Sequence, residues 1–395
     1  MANKIPIYDV VVVGAGLMGS AAARHLAEMG LRVALVGPAE PPSKENHQGV
    51  FASYYDQARI TRKLDSDGDW SRLAENSISR YPEIERKGKQ TFFTPAGSVM
   101  AGPEEGDGCD FILDVQHIGA ERDIPHTVLR GAELRERFPF FNFPSGVLAL
   151  HEELDAGWIN PRHHIIAETE AAKAHGAVVY RDEVTVITQT SGEVHIHCAQ
   201  GKRLVAGKAI VACGAFSKAS GLLPQPPAMK VFARTVTYFE LGTAEIARLS
   251  NMPSLVYVSP DGACEPYILP PVKYANGKTY LKIGGDPVDV ELETEDDVKA
   301  WFKGGGDESV GTFLAEQLLK LMPDLDYRGI SFDSCVTSYT PSGKPLIHAQ
   351  TDRLIALTGG NGAGAKCADE LGRLGALVAA GENIPDNLYD TSFQP

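Results

Sequence analysis

The sequence has 395 residues but only six cysteines, and none of its apolar runs is long enough to span a membrane. The cysteines are scattered without a C-x-x-C pair or a regular framework, which argues against a disulfide-stabilised fold. No metal site is predicted. Five of the cysteines are expected to be packing residues or inert thiols: Cys109, Cys198, Cys213, Cys264 and Cys367.

The sequence also lacks an excess of positive charge. Its 37 Lys and Arg residues face 51 Asp and Glu residues, for a formal net charge of -14. This balance argues against nucleic acid or an anionic membrane surface as a partner. The chain enters its first apolar strand without the h-region of a signal peptide, so we expect a cytoplasmic protein. A monomer or a small homo-oligomer is expected.

The N-terminus carries a strand, a glycine-rich turn and a helix in immediate succession. Residues 10–13 are four valines, apolar on both faces, as in a buried parallel strand. The glycines behind them have the G-x-G-x-x-G spacing: Gly14, Gly16 and Gly19. Such glycines permit the tight turn, the close approach of a pyrophosphate and the packing of helix on strand. With a helix at 20–29 and a strand at 31–36, the pattern predicts a dinucleotide site rather than an ordinary glycine turn.

The second strand lacks the acid that commonly holds the adenosine ribose at its end. Gly37 stands at that position, and Glu40 is the nearest carboxylate. Glu40 is therefore a candidate cofactor ligand from the loop, with an exposed, solvated side chain as the alternative.

Both ends of the chain supply a strand, a glycine loop and a helix. Near the C-terminus a strand at 354–357 leads into a second glycine loop and a helix at 366–380. The glycines of this loop are Gly360, Gly362 and Gly364. We therefore predict a two-lobed α/β fold with a discontinuous, Rossmann-like nucleotide-binding lobe. Its expected segments are 1–85, 150–225 and 325–395.

The remaining segments, 86–149 and 226–324, are expected to form a substrate-binding lobe. Between residues 230 and 284 apolar and polar residues alternate over several short runs, as in a half-buried antiparallel sheet. In the first lobe, a single helix is predicted at 69–86 from its apolar positions.

Four stretches in this order resemble a known family: the N-terminal motif, Val-Ala-Cys-Gly-Ala at 211–215, Thr-Pro-Ser-Gly-Lys-Pro at 340–345, and Gly-Gly-Asn-Gly-Ala-Gly-Ala-Lys at 359–366. They are similar to the flavin-dependent amine oxidases of the D-amino-acid oxidase superfamily, in the branch of monomeric sarcosine oxidase and N-methyltryptophan oxidase. The resemblance implies FAD as cofactor. It also implies oxidation of a carbon–nitrogen bond, with hydride transfer to flavin N5 and then electron transfer to oxygen.

The resemblance also implies roles for two residues in the middle of the chain. Cys335 matches the cysteine that carries the flavin covalently, a bond for which a thiolate is the required nucleophile. The alternative is a buried free cysteine. Lys282 matches the lysine that activates oxygen, because an ammonium stabilises the superoxide that forms first. Its alternative is a lysine on the solvent face of a strand.

Further family positions fall on charged and aromatic residues. Arg59 matches a flavin-contacting arginine, and Arg62 and Lys366 match the ligands of the substrate carboxylate. Surface salt bridging is the alternative for the two arginines. His47 matches a histidine of a cofactor-contacting loop, although a polar loop histidine is often without function. Tyr267 matches a pocket tyrosine.

The sequence departs from the family at the substrate end. Residues 50–58 are extra, and Asp286 and Thr337 stand where the relatives have a pocket histidine and a pocket tyrosine. The substrate pocket is therefore expected to be more polar, while the flavin-binding residues are retained.

Together these observations predict an FAD-dependent oxidase of a secondary amino acid, an N-substituted glycine such as sarcosine or iminodiacetate. The imine product would be hydrolysed to an amine and an aldehyde or oxo acid, and O₂ would become H₂O₂. Three alternatives stay open at this point: a dehydrogenase that passes electrons to a carrier, a flavin-binding protein without turnover, and a nicotinamide-dependent dehydrogenase. The last does not account for the second glycine loop.

Overall fold

The computed structural model describes residues 7–260, 262, 265–385 and 387–395. Residues 1–6, which enter into the expectation about a signal peptide, lie outside the described residues, as does Cys264, one of the expected packing thiols.

The strands are β1 (Ile7–Val13), β2 (Val33–Val36), β3 (Arg59–Thr61), β4 (Phe93–Thr94), β5 (Ser98–Pro103), β6 (Thr127–Arg130), β7 (Val147–Glu152), β8 (Gly157–Ile159), β9 (Val178–Tyr180), β10 (Val184–Gln189), β11 (Val194–Cys198), β12 (Arg203–Val211), β13 (Lys230–Leu241), β14 (Ser254–Tyr257), β15 (Tyr267–Lys273), β16 (Thr279–Gly284), β17 (Tyr327–Tyr339), β18 (Leu346–Ala349) and β19 (Leu354–Thr358). The helices are α1 (Leu17–Glu28), α2 (Gly68–Ile78), α3 (Tyr81–Gly88), α4 (Cys109–Glu121), α5 (Gly131–Arg137), α6 (Pro161–Ala174), α7 (Thr243–Arg248), α8 (Glu295–Gly304), α9 (Glu308–Leu321) and α10 (Ala368–Ala380).

The N-terminal strand lies inside the first sheet. β1 pairs in parallel with β2 on one side and with β12 on the other, so Val10 lies opposite both Val33 and Lys208. β9 extends the parallel order beyond β2, and β19 extends it beyond β12. Val12 packs in the core formed with α1 and α10, and Val11 packs in the core on the opposite face. The strand is thus apolar on both sides because both faces are covered, and the predicted Rossmann-like arrangement is confirmed.

The second sheet has the strand order β17-β13-β16-β15-β14-β5-β7-β6. Its longest pairing joins β13 to β17, antiparallel from Lys230 opposite Tyr339 to Leu241 opposite Tyr327. β17 belongs to this sheet, although the expected boundary assigned residues 325–395 to the nucleotide-binding lobe. The long pairing with β13 accounts for the difference. The division of the chain into domains otherwise stays a prediction.

Residues 69–86 form two helices, so the prediction of a single helix was wrong. α2 ends at Ile78, and α3 begins at Tyr81 with Pro82 in its first turn. Proline lacks an N–H group, and its ring clashes with the carbonyl of the residue four positions earlier, which is Ile78. The chain therefore turns at residues 79–80 and starts a new helix.

Buried ion pairs join the helices behind the first glycine turn. Arg24 of α1 is 2% exposed and binds Glu168 of α6 at 2.5 Å as well as Asp369 of α10. Arg80 binds the second oxygen of Asp369 at 2.5 Å. Breaking such a buried pair is strongly destabilising, because a charge is left without its partner. These pairs hold together segments that are far apart in the sequence and that jointly support the first sheet.

Candidate functional site

A cavity of about 1080 Å³ reaches both sheets. It is lined by most of the residues that the sequence singles out. One group, the glycine wall, consists of Gly14, Gly16, Gly360, Gly362 and Gly364. The other group consists of Arg59, Arg62, Tyr267, Cys335 and Lys366. Residues separated by up to 352 positions in the sequence, from Gly14 to Lys366, are therefore brought together in one space.

The first glycine turn leaves room for a ligand at the start of α1. Gly14 has φ = +106°, and a Cβ there would clash with the carbonyl oxygen of Ala212. A Cβ at Gly16 would meet no atom within 4 Å, and Gly16 caps α1 without a side-chain hydrogen bond. The first N–H groups of α1 are thus left for a ligand, with the positive end of the helix dipole behind them. This arrangement suits a pyrophosphate.

Glu40 and His47 lie outside the set of described residues that line the cavity. Glu40 binds Arg162 with two oxygens, at 2.6 and 2.7 Å. Nε2 of His47 lies 3.0 Å from the carbonyl oxygen of Val50. Both side chains have local structural partners, and the structure does not bring them together with the other predicted cofactor residues.

The absence of an acid after β2 has a steric reason. A Cβ at Gly37 would lie 2.6 Å from the backbone nitrogen of Ala15, in the glycine turn itself. A carboxylate that does line the cavity is Glu183, which the sequence reasoning missed. Its Oε2 accepts a hydrogen bond from the Val50 N–H at 3.2 Å. Glu183 lies on the loop after β9, and nothing in the sequence around it indicated a role in the site.

Asp65 pairs with both cations that are predicted to bind the substrate carboxylate, Arg62 and Lys366. Lys366, which is 2% exposed, donates to Oδ2 of Asp65 at 2.5 Å, and Nη2 of Arg62 lies 3.5 Å from the same oxygen. Burial alone would raise the pKa of Asp65, but the charges of Lys366 and Arg62 lower it below its usual value. Two cations and one carboxylate leave a net charge of +1 beside the cavity. The sequence reasoning found both cations and missed Asp65.

Lys282 is buried rather than on a solvent face, so that alternative is excluded. Its side chain is 1% exposed, and Nζ donates to Oδ2 of Asp56 at 2.6 Å and to the carbonyl oxygen of Ala58 at 2.7 Å. Lys282 is not among the described residues that line the cavity. Its Nζ lies 5.8 Å from the ring centroid of Tyr267, and Tyr267 does line the cavity. Burial lowers the pKa of Lys282 to about 8.

Cys335 reaches the cavity wall from the long strand β17. Nη2 of Arg59 lies 3.5 Å from its sulfur, and Trp301 donates to its carbonyl oxygen at 2.8 Å. Among the expected packing thiols, burial raises the pKa of Cys213 and of Cys367 to about 12. Such thiols are poor nucleophiles.

The polar substitutions predicted from the sequence also line the cavity. Oδ2 of Asp286 accepts a hydrogen bond from the Thr235 N–H at 2.9 Å. The buried atoms Asp286 Oδ1 and Thr337 Oγ1 have no hydrogen-bond partner in the described part of the chain. Nearby, Arg234 binds Asp289 at 2.6 Å. Burial raises the pKa of Asp286 to about 6, so at neutral pH these two carboxylates and one guanidinium carry a net charge of -1.

The described ranges of the chain contain no group of three His, Cys, Asp or Glu side chains arranged to hold a metal ion. No helix in them combines the length and the apolar character that crossing a bilayer requires.

A glycine turn at a helix N-terminus, a second glycine loop and a cavity that continues to the second sheet define a dinucleotide-dependent enzyme. The family model of FAD dependent oxidoreductases (DAO) matches residues 9–377. The chain belongs to this family, and its cofactor is FAD. The glycine wall and the free start of α1 fit the pyrophosphate of that cofactor.

Relatives and solved structures agree with this assignment. The N-methyl-L-tryptophan oxidase of Yersinia pestis (strain Pestoides F) is 24% identical over 384 residues, which cover 96% of each chain. The structure of NikD, described as an unusual amino acid oxidase essential for nikkomycin biosynthesis, aligns with a TM-score of 0.78 at 21% identity, over 98% of this chain and 97% of that one. The iminodiacetate oxidase of Chelativorans sp. BNC1 aligns with a TM-score of 0.72 at 18% identity, over 98% of both chains. The structural alignments show a shared fold.

Proposed function

We propose that the protein is an oxidase of a secondary amino acid, an N-substituted glycine. The substrate α-carbon loses a hydride, for which FAD supplies the acceptor at N5 when it is bound. The resulting imine takes up water and splits into an amine and an aldehyde or oxo acid. O₂ gains two electrons and two protons and leaves as H₂O₂.

The carboxylate site carries this proposal. Arg62 and Lys366 line the cavity with a net charge of +1 after pairing with Asp65, which matches a single substrate carboxylate. Lys366 also precedes α10, whose N-terminal dipole favours an anion. The amino acid oxidases among the relatives and structural neighbours support the same substrate class.

The group of Asp286, Asp289 and Arg234 in the cavity lining favours a substrate with only one carboxylate. Asp286 and Asp289 outnumber Arg234, so a second carboxylate would meet a net negative charge. Like charges in contact at an interface cost several kcal/mol. Of the two example substrates, sarcosine is therefore favoured over iminodiacetate, although the fold is shared with an iminodiacetate oxidase.

A substrate panel tests the reaction. Sarcosine, longer N-alkyl glycines, iminodiacetate and an N-methyl amine without a carboxylate should each be mixed anaerobically with the purified flavoprotein. We expect the N-alkyl glycines to bleach the flavin and, in air, to give one H₂O₂ per turnover. Iminodiacetate should react at least about tenfold more slowly. Bleaching without peroxide would instead favour the carrier-dependent dehydrogenase, and no bleaching by any member would favour a flavin-binding protein without turnover.

We also propose that Cys335 carries the flavin covalently. Acid precipitation of the pure protein should leave the yellow colour in the pellet, and Cys335→Ser should release it to the supernatant. Cys213→Ser is the matched control, because Cys213 also lines the cavity but is held as a thiol by burial. Free flavin in the supernatant of the unmodified protein would contradict the covalent link and leave the rest of the proposal intact.

A further inference from the structure

The buried ion pair between Lys282 and Asp56 lies behind the cavity wall. Lys282 is 1% exposed and Asp56 is 4% exposed, and their charged atoms are 2.6 Å apart. Neither residue lines the large cavity among the described residues, but both have a neighbour that does. Arg59 binds Asp56, and the ring of Tyr267 lies 5.8 Å from Nζ of Lys282. The pair is therefore one side chain away from the cavity whose glycine wall fits the cofactor.

Asp56 is held as an anion by four donors. Oδ2 accepts from Lys282 and from Arg59, and Oδ1 accepts from the Tyr274 hydroxyl and the Gln57 N–H, each at 2.7 Å. Burial alone would raise the pKa of Asp56, yet the charges of Lys282 and Arg59 lower it far below its usual value. Asp56 is therefore charged near neutral pH.

Titratable groups from several elements lie near Lys282. β13 contributes Tyr238, β15 contributes Tyr267, and Tyr274 directly follows β15; burial raises the pKa of each of these phenols. The remaining groups are Asp56, Arg59 and, on β17, Cys335. The phenols stay neutral near pH 7, so Asp56 supplies the negative charge that balances the lysine, whereas Arg59 opposes its protonation.

Because Asp56 is the anion that balances Lys282 and Arg59 opposes its charge, the protonation of Lys282 depends on one carboxylate. Burial and Arg59 both lower the pKa of Lys282, and Asp56 raises it, with a resulting value of about 8. Without Asp56 the remaining influences would favour the uncharged amine at neutral pH.

We propose that Asp56 is a positioning residue that keeps Lys282 protonated and in place, and that it thereby sets the rate at which the reduced flavin reacts with oxygen. This inference rests on the oxidase function proposed above. In that step an ammonium lowers the energy of the negative charge that O₂ acquires with its first electron. Asp56 falls in residues 50–58, the segment that departs from the family pattern.

Separate half-reactions test the inference. The flavin is reduced with dithionite, so reoxidation is measured whether or not any amino acid is a substrate. We expect the reoxidation rate of the unmodified enzyme to fall as pH rises through about 8, where Lys282 loses its proton. In Asp56→Asn this fall should occur at least about 1.5 pH units lower, and at pH 7.5 reoxidation should slow about tenfold. Anaerobic reduction by the best substrate of the panel should change less than about threefold.

A double-mutant cycle separates this role from a general structural effect. Lys282→Met should slow reoxidation by about 10²–10³-fold and remove its pH dependence. Asp56→Asn should then add nothing in the Lys282→Met background, because the residue acts through the lysine. Equal slowing by Asp56→Asn in both backgrounds, or an unchanged pH profile in Asp56→Asn alone, would overturn the inference.

A readout without turnover comes from the lysine itself. With ¹⁵N-labelled lysine, the Nζ resonance assigned by its loss in Lys282→Met should titrate at lower pH in Asp56→Asn than in the unmodified protein. Glu240→Gln is the matched control, since it removes a 2.5 Å bond to Lys278 beside the same two strands but outside the buried cluster. That variant should leave both the titration and the reoxidation unchanged.

A second variant keeps the test decisive if Asp56→Asn does not fold. Asp56→Glu retains the charge, so Lys282 should titrate within about half a unit of its value in the unmodified protein, and reoxidation should slow less than about threefold. A folded Asp56→Glu protein in which Lys282 titrates at least about one unit lower would overturn the inference. Failure of every amino acid to bleach the flavin would instead contradict the proposed function, and the titration would still test the link between Asp56 and Lys282.

Discussion

The two walls of the cavity are built by different means. The glycine wall presents backbone, and its shape follows from the φ angles and close contacts of glycines in two short motifs. The opposite wall presents charged side chains, and two buried lysines in or behind this wall are each held by a carboxylate from a distant segment. Asp65 and Lys366 are 301 positions apart, and Asp56 and Lys282 are 226 positions apart. The comparison teaches that backbone sites depend on local sequence, whereas sites made of ion pairs depend on the packing of remote segments.

The largest effect is expected in the glycine wall. Gly14→Ala places a Cβ against the carbonyl oxygen of Ala212 at a strained φ, so this variant should lose both its fold stability and its FAD. Gly16→Ala has space within the protein but intrudes on the ligand, so it should keep its thermal stability and lose FAD. The ratio of flavin absorbance to protein absorbance, with a melting curve, measures both.

Gly192→Ala is the control for these two variants, because a Cβ there meets nothing within 4 Å and its residue lies outside the cavity lining. It should retain FAD and stability. If Gly16→Ala also retained full FAD content, the glycine wall would not be the pyrophosphate site.

A smaller but selective effect is expected from Arg62→Ala. Losing a charged hydrogen bond to a buried partner costs about 2–5 kcal/mol, so kcat/KM for N-alkyl glycines should fall at least about 30-fold. An amine without a carboxylate should be affected far less. Steady-state kinetics with both kinds of substrate measure the difference.

Arg32→Ala serves as the control for charge removal, since Arg32 is an exposed partner of Asp9. Its kinetics should match those of the unmodified enzyme. Equal losses for both kinds of substrate in Arg62→Ala would show that Arg62 does not hold the carboxylate.

The smallest effect concerns Asp286 and sharpens the description of the acidic side of the cavity. Burial raises the pKa of this group to about 6, above its usual value near 3.8. The unfolded chain therefore loses this proton at lower pH than the folded chain, and stability falls as pH rises from about 4 to 6. Asp286→Asn should remove this loss, so its apparent Tm should exceed that of the unmodified protein by roughly 1–2 °C at pH 7.5 and match it near pH 4.

The same variant should improve turnover of iminodiacetate relative to sarcosine, because the carboxylate that Arg234 does not neutralise is gone. Asp289→Asn is the comparison, since Asp289 is already neutralised by Arg234. A fall in the stability of Asp286→Asn at pH 7.5 would contradict the assigned effect of burial.

The sequence alone determined the nucleotide-binding fold. A run of four valines, a glycine motif and the helix behind it are local signals, and β1, α1 and β2 follow them closely. The sequence also pointed to the cations of the site, since Arg62 and Lys366 lie in recognisable motifs. The prediction of one helix at 69–86 was wrong because Pro82 cannot continue the preceding helix, although proline is itself a local signal.

The tertiary structure decided which charges meet. Asp56, Asp65 and Glu183 gave no signal in the sequence, because a single acid in a polar stretch is usually solvated. The roles of Asp56 and Asp65 arise only when folding buries them beside lysines from other segments, where the loss of water makes pairing obligatory. Glu40 and His47 looked suitable by position, but Glu40 pairs with Arg162 and His47 contacts the carbonyl of Val50, and neither is among the described residues that line the cavity. Local backbone geometry can be predicted from a motif, but the partner of a buried charge is fixed only by the packing that excludes water around it.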